Sequence, residues 1–303
     1  MIAQAISIIN SGGVVAFPTE TVYGLGADAT NESACRKIYE LKSRPNNNPI
    51  IVHVASIEDA REIGEFNEIA EIIAAEFWPG PITIVVPCRP ESKICSTVLA
   101  GLKAVAIRIP SNPIALELIR KTNKPIAAPS ANISNYVSPT EAAHVKDAFG
   151  DAVYVLDGGK SVYGLESTII DVTGEKPRIL RYGFITPDTI SKLIGREVDM
   201  VETEEILAPG MMKKHYSPKA KLRINATSLN PTELGIGFGD IELGEFNLSK
   251  NGDLAEAASN LYSMIRLLDY KAALSGISSI AIAPIPNIGI GLAINDKLQR
   301  ASG

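Results

Sequence analysis

The segment Ala208-Pro209-Gly210-Met211-Met212-Lys213-Lys214-His215-Tyr216-Ser217-Pro218 has helix breakers at both ends and follows an acidic, polar run over 201–205. Proline lacks an amide proton and its ring clashes with the preceding turn, so Pro209-Gly210 and Ser217-Pro218 forbid a continuous helix here. The stretch reads as a linker. A chain of 303 residues has room for two packed units on either side of one, because single hydrophobic cores stop growing near roughly 250 residues. The expected division is a larger domain over 1–200, a linker over 201–220 and a small α/β domain over 221–303.

Before the linker, apolar runs rich in β-branched residues occur at 14–17, 49–54, 82–86, 104–109, 153–156 and 168–172, each bounded by glycine, proline or polar residues. Helix-period segments at 32–41, 68–77, 114–121 and 140–149 lie between them. Thr140, after Ser138-Pro139, offers a hydroxyl to the first turn of the last of these. Beyond the linker come strands near 221–224, 234–238 and 277–283 and amphipathic helices near 253–268 and 288–300. The predicted class is α/β: a mixed twisted sheet with helices, plus a smaller Rossmann-like α/β C-terminal domain.

Several classes of function are disfavoured. No basic, apolar leader opens the chain and no run approaches eighteen uninterrupted apolar residues, so neither a signal peptide nor a membrane span is expected, and the cytosol is. Cys35, Cys88 and Cys95 are odd in number and lack paired spacing, which argues against disulfides and zinc and for small buried hydrophobes. A net charge of −5 disfavours extended nucleic-acid binding but leaves a small anionic ligand open. Gly24-Leu25-Gly26-Ala27-Asp28-Ala29 matches a loose dinucleotide pattern but stands six residues too late after its strand, and Gly158-Gly159-Lys160-Ser161 lacks the first glycine of a phosphate loop. The latter reads as a glycine turn with a solvated lysine. His53, His144 and His215 have no metal-ligand spacing.

Four polar segments sit at strand ends or in loops rich in glycine and proline, where function concentrates. They are Pro18 to Gly26, Lys42-Ser43-Arg44-Pro45, Pro129-Ser130-Ala131-Asn132, and Ser167-Thr168 with Arg181-Tyr182-Gly183. Lys42 and Arg44 end a helix, where cations also simply complement the dipole. His53 is a lone histidine in an apolar strand, which by itself reads as a satisfied core residue. Arg108 interrupts another apolar strand and needs an anionic partner, either a structural carboxylate or a substrate carboxylate.

In this order and spacing, Pro-Thr-Glu-Thr-Val-Tyr-Gly-Leu-Gly, Lys-Ser-Arg-Pro, Pro-Ser-Ala-Asn and Arg-Tyr-Gly resemble the YrdC-type threonylcarbamoyl-AMP synthases, and the linker with its following domain resembles the longer members. The resemblance implies a YrdC-like fold and a condensation of L-threonine, bicarbonate and ATP, with magnesium on the phosphates, to threonylcarbamoyl-AMP and pyrophosphate. The adenylate would pass to other proteins that modify tRNA, with weak or absent direct RNA binding. It implies a threonine pocket of Thr21, His53, Arg108, Ala128 and Ser167, catalytic Lys42 and Arg44, and an ATP side of Arg44, Asn48, Ala104, Ser130, Asn132, Ser138, Arg181 and Tyr216. Tyr216 in the linker would close over the nucleotide as a lid. The competing expectations are a carbamoyl-adenylate former fed by carbamoyl phosphate, disfavoured by the scattered cysteines, and a non-catalytic RNA-binding module, disfavoured by the acidic balance.

Overall fold

The computed structural model describes residues 1–200, 208–209 and 215–303. The acidic run 201–205 and the stretch 211–214 of the expected linker lie outside the described residues.

The first strands are β1 (Val15–Phe17), β2 (Gly24–Asp28), β3 (Val52–His53), β4 (Ile82–Pro87) and β5 (Ala104–Arg108). They are followed by β6 (Ile126–Ala127), β7 (Tyr154–Val155), β8 (Thr168–Asp171), β9 (Arg178–Arg181) and β10 (Asp199–Met200). All ten join one mixed sheet in the order β10-β9-β8-β4-β5-β3-β6-β2-β1-β7. Helices α1 (Ile2–Asn10), α2 (Glu32–Lys42), α3 (Ile57–Ile63), α4 (Glu68–Phe77), α5 (Ser96–Leu99), α6 (Pro113–Thr122), α7 (Ala142–Phe149) and α8 (Pro187–Ile194) connect them. The helix ends follow local chemistry. Asn31, Asn67 and Asn112 each accept a first-turn amide with the side-chain oxygen, which satisfies a donor that the helix itself leaves unpaired.

Period-two alternation divides the sheet. Ile84, Val86, Val105 and Ile107 point into the main core with α2 and α4 residues such as Ile38 and Ile73. Val85, Ala106, Ile51 and Ile169 form a second apolar patch, and Thr83, Arg108 and His53 continue the same alternation on their strands. His53 stands opposite Arg108 in the register of β3 and β5. The polar positions thus share the face turned away from the main core.

After the linker, β11 (Lys221–Arg223), β12 (Glu233–Gly237), β13 (Phe246–Asn247) and β14 (Ser279–Ile282) form a parallel sheet in the order β11-β14-β12-β13, with α9 (Leu254–Ser275) and α10 (Gly291–Ser302). Asp253 caps α9 at two amides. The core of this part also takes in Val22, Val137 and Leu165 from the first two hundred residues. Burial therefore continues from α9 to the loops around the polar face.

Three expectations need correction. Thr140 does not cap its helix: α7 begins at Ala142, and the Thr140 amide instead donates to Nδ1 of His144 at 3.3 Å. The α9 helix runs seven residues past 268, because no breaker intervenes before Gly276, its left-handed cap. Cys35 is buried, but Cys88 and Cys95 are only half-buried beside the core.

Candidate active site

The glycine-rich motif after β1 makes a strand, not a phosphate loop. Gly24 and Gly26 lie in β2, where a Cβ on Gly26 would stand 2.6 Å from the Phe17 ring and 2.8 Å from Ile126. The preceding turn, Thr19 to Val22, is knitted by hydroxyls. Thr19 Oγ1 donates to the Val22 carbonyl at 2.5 Å and accepts from the amides of Thr21 and Val22 at 3.2 Å each. This turn places Thr21 against Arg108, whose Nη1 donates to Thr21 Oγ1 at 2.9 Å.

Thr21, Arg44, His53, Arg108, Ala128, Ser130, Ser167, Arg181 and Tyr216 line one cavity together with Glu166 and His215. All five residues of the expected threonine pocket are among them. On the nucleotide side, Lys42 stands behind the wall, its Nζ donating to the carbonyls of Ser130 at 2.6 Å and Asn132 at 2.5 Å. Asn48 presents its carbonyl to Arg44 Nε at 3.1 Å. Asn132 Nδ2 donates to the carbonyls of Ile133 and Tyr136, leaving its Oδ1 buried without a partner. Ser138 donates to Glu166. Ala104 does not reach the cavity: it opens β5 and packs against the apolar patch that contains Ala208.

The charge distribution is lopsided. Lys42 and Arg181 are about 1% and 5% exposed. Lys42, Arg44 and Arg181 are held by carbonyls and one serine hydroxyl, with no carboxylate partner among the described residues. Burial, followed by repulsion from Arg44, holds the Lys42 amine well below its usual range. Burial also takes Arg44 down to about 10, against the help of Tyr39 and with the repulsion of Arg181. Two buried cations and the half-buried Arg44, without a counter-ion among the described residues, favour a polyanionic ligand.

Arg108 differs. Its Nη2 donates to Glu20 Oε1 at 2.6 Å in a buried ion pair, and its Nε donates to the Gly80 carbonyl at 3.2 Å. The structural carboxylate that the sequence left as one of two alternatives is present. His53 is not the satisfied core residue that its strand suggested. It is buried, its Nδ1 has no partner, and burial with the Arg108 charge lowers its pKa to about 3, so the ring is neutral.

Sequence reasoning missed Glu20, Glu166, Thr83 and Tyr262. Thr83 Oγ1 lies 2.7 Å from Ser167 Oγ, which also accepts from Arg181 Nη2 at 2.9 Å, so these three fix one another. The Tyr262 hydroxyl, from α9, donates to Glu166 Oε2 at 2.8 Å. Glu20 lies inside the first motif and Glu166 adjoins Ser167, so both were visible as carboxylates beside expected ligands. Tyr262 carries no local signal at all.

Tyr216 is buried in a left-handed conformation, φ 63°, rare for a bulky side chain. Its ring stacks on Tyr262 at 5.7 Å between centroids, and Lys297 Nζ stands 5.5 Å above it. The Tyr216 hydroxyl and His215 Nδ1 have no partner among the described residues. With these two rings in place the cavity retains about 40 Å³ of water-accessible space, whereas small-molecule pockets usually hold roughly 300–1,000 Å³.

A family profile described as Telomere recombination matches residues 7–183, and one described as Threonylcarbamoyl-AMP synthase, C-terminal domain, matches residues 185–303. The threonylcarbamoyl-AMP synthase of Bacillus subtilis is 38% identical across all of this chain and 93% of its own length. That of Pyrococcus abyssi is 39% identical across 99% and 93%. The crystal structure of P. abyssi Sua5 complexed with L-threonine superposes with a TM-score of 0.90 at 35% identity, covering 99% of this chain and 94% of that one. With both profiles and full-length relatives in agreement, the chain belongs to the threonylcarbamoyl-AMP synthase family, in its long form with a C-terminal domain.

Proposed function

We propose that this protein is an L-threonylcarbamoyladenylate synthase, condensing L-threonine, bicarbonate and ATP to threonylcarbamoyl-AMP, pyrophosphate and water. The observation that carries the proposal is the site's two-sided chemistry: an arginine already paired with Glu20 on one side, and on the other the buried Lys42 and Arg181 with the half-buried Arg44, none with a carboxylate partner among the described residues. One amino acid and one polyphosphate answer those two halves.

The threonine carboxylate lies against Arg108, with Thr21, His53, Ala128 and Ser167 around the amino acid. The threonine amine captures bicarbonate with loss of water. A carbamate oxygen then attacks the α-phosphorus of ATP, and the bond to the β-phosphate oxygen breaks to release pyrophosphate. Lys42, Arg44 and Arg181 offset the charge of the triphosphate and of the leaving pyrophosphate, aided by Asn48, Ser130, Asn132 and Ser138. In nucleotidyl transfer such positioning and charge stabilisation supply most of the catalysis. Ala104 contributes backbone only and sits away from the cavity. Among the described residues no group of three or more His, Cys, Asp or Glu side chains is placed to hold a metal. Magnesium would arrive on the phosphates, where it would supply charge neutralisation.

Residues 1–200 form the catalytic unit, 201–220 the linker and lid, and 221–303 the accessory domain. His215 and Tyr216 must move for a nucleotide to enter, and their return excludes water from the adenylate. The product goes to the cytosolic proteins that complete threonylcarbamoyladenosine in tRNA.

The test is pyrophosphate release by the purified protein with ATP, magnesium, bicarbonate and threonine. Release should depend on threonine and bicarbonate. An equal rate without threonine overturns the proposal.

A further inference from the structure

Glu20 does not line the cavity, yet it governs what Arg108 can do there. The carboxylate is about 5% exposed; Oε1 takes Arg108 Nη2 at 2.6 Å and Oε2 is buried without a partner. Arg108 Nε is spent on the Gly80 carbonyl and one N–H of Nη1 on Thr21. Of five guanidinium donors, one on each terminal nitrogen remains. A substrate carboxylate can take those two, but the guanidinium charge is already cancelled by Glu20.

The acceptors around Arg108 point the same way. Thr19 has one hydroxyl proton, and it goes to the Val22 carbonyl. In the 2.8 Å contact between Thr19 and Thr21 the donor is therefore Thr21, sharing the Thr19 oxygen with the two longer amide contacts. Thr21 Oγ1 accepts from Arg108 with one lone pair and keeps the other for the cavity. His53, on the same wall, adds an unpartnered Nδ1 on a neutral ring. Around Arg108 the site presents two donors on a guanidinium whose charge Glu20 cancels, an acceptor on Thr21 and an unpartnered nitrogen on the neutral His53 ring.

Resting on the function proposed above, we propose that Glu20 is a specificity-determining positioning residue: it cancels the charge of the Arg108 guanidinium, so that this end of the site takes a zwitterion and refuses a carboxylate lacking the ammonium group. A zwitterion brings no net charge into this buried half. A simple carboxylate brings one uncompensated negative charge, which a low-dielectric site penalises. Lys42 and Arg44, with no carboxylate partner among the described residues, lie on the nucleotide side, and Arg181 stands between the two sides at Ser167, so anions are drawn away from Arg108.

The experiment measures calorimetric binding of L-threonine, of 2,3-dihydroxybutanoate, its counterpart without the amino group, and of ATP, to the full-length protein and to Glu20→Gln. The wild-type protein should prefer threonine by at least about tenfold. Glu20→Gln should lose most of that preference because 2,3-dihydroxybutanoate binds more tightly, a gain that misfolding cannot produce, while ATP affinity stays within about twofold. Glu20→Asp, which keeps the charge, should keep the preference. An unchanged ratio in Glu20→Gln overturns the inference, and so does equal binding of the two ligands by the wild-type protein, which needs no variant to fold. Wild-type protein that binds ATP but neither ligand sinks the underlying function as well.

Discussion

Tyr262, on a helix of the C-terminal part, donates its hydroxyl to Glu166 at 2.8 Å, and the other oxygen of that carboxylate holds Ser138. A residue far along the chain is thus two hydrogen bonds from the expected nucleotide side. Tyr262→Phe leaves a buried carboxylate oxygen without its donor, a loss of about 1–3 kcal/mol in unfolding free energy. Urea denaturation measures it. The KM for ATP should rise about fivefold with the KM for threonine unchanged; an equal rise in both would show that the contact supports the fold alone.

Arg108→Lys keeps a charge for Glu20 and removes the fork. Threonine affinity should fall by about ten- to a hundredfold, as expected for losing hydrogen bonds to a charged group, with ATP affinity within twofold. Titration calorimetry decides. Parallel losses for both ligands would mean that the carboxylate clamp lies elsewhere. Arg108→Ala is the poorer variant, since it strands a buried Glu20 at a cost of about 3–5 kcal/mol.

Lys42, buried, and Arg44, half-buried, have lowered pKa values, so part of their positive charge is lost in the free protein at alkaline pH. A triphosphate favours the charged forms. ATP binding at alkaline pH should therefore take up a fraction of a proton, measured by calorimetry in buffers of different ionisation enthalpy. Zero uptake would contradict the desolvation of these cations.

His53 titrates near 3 in the folded protein against 6.5 ordinarily. Below pH 6.5 the unfolded chain binds a proton that the folded chain refuses, so stability present above that pH is lost as pH falls towards 3. At pH 5 the loss from this one ring is about 2 kcal/mol. In His53→Gln the difference in unfolding free energy between pH 7 and pH 5 should shrink by that amount.

Gly183 ends the Arg-Tyr-Gly motif because nothing else fits: a Cβ there would stand 2.3 Å from the Thr168 amide nitrogen and 2.6 Å from the Glu166 carbonyl oxygen. Gly183→Ala must push β9 from β8 and separate Arg181 from Ser167. A destabilisation of about 1–3 kcal/mol is expected, with pyrophosphate release falling at least tenfold. A variant as active and as stable as wild type would contradict the close approach.

The sequence alone determined the elements and the chemistry available to them. Alternation of period two and period 3.6, the breakers after residue 208 and the ordered motifs identified the α/β class and the residues that gather at the cavity, because local backbone preference and side-chain type are properties of short segments. Short strands such as β6, two residues long, escaped this kind of analysis; their pairing energy comes from neighbours, not from their own composition.

Only the tertiary structure decided which partner each polar group has. Arg108 in sequence was a charge in need of an anion, and the turn at Thr19 to Val22 brought Glu20 to it, 88 residues away along the chain. His53 looked satisfied until its Nδ1 emerged without a donor or acceptor. Tyr262 sat on an unremarkable amphipathic helix until α9 packed against Glu166. Burial and hydrogen bonding depend on segments distant in sequence, and these distant contacts set the charge and the selectivity of each half of the cavity.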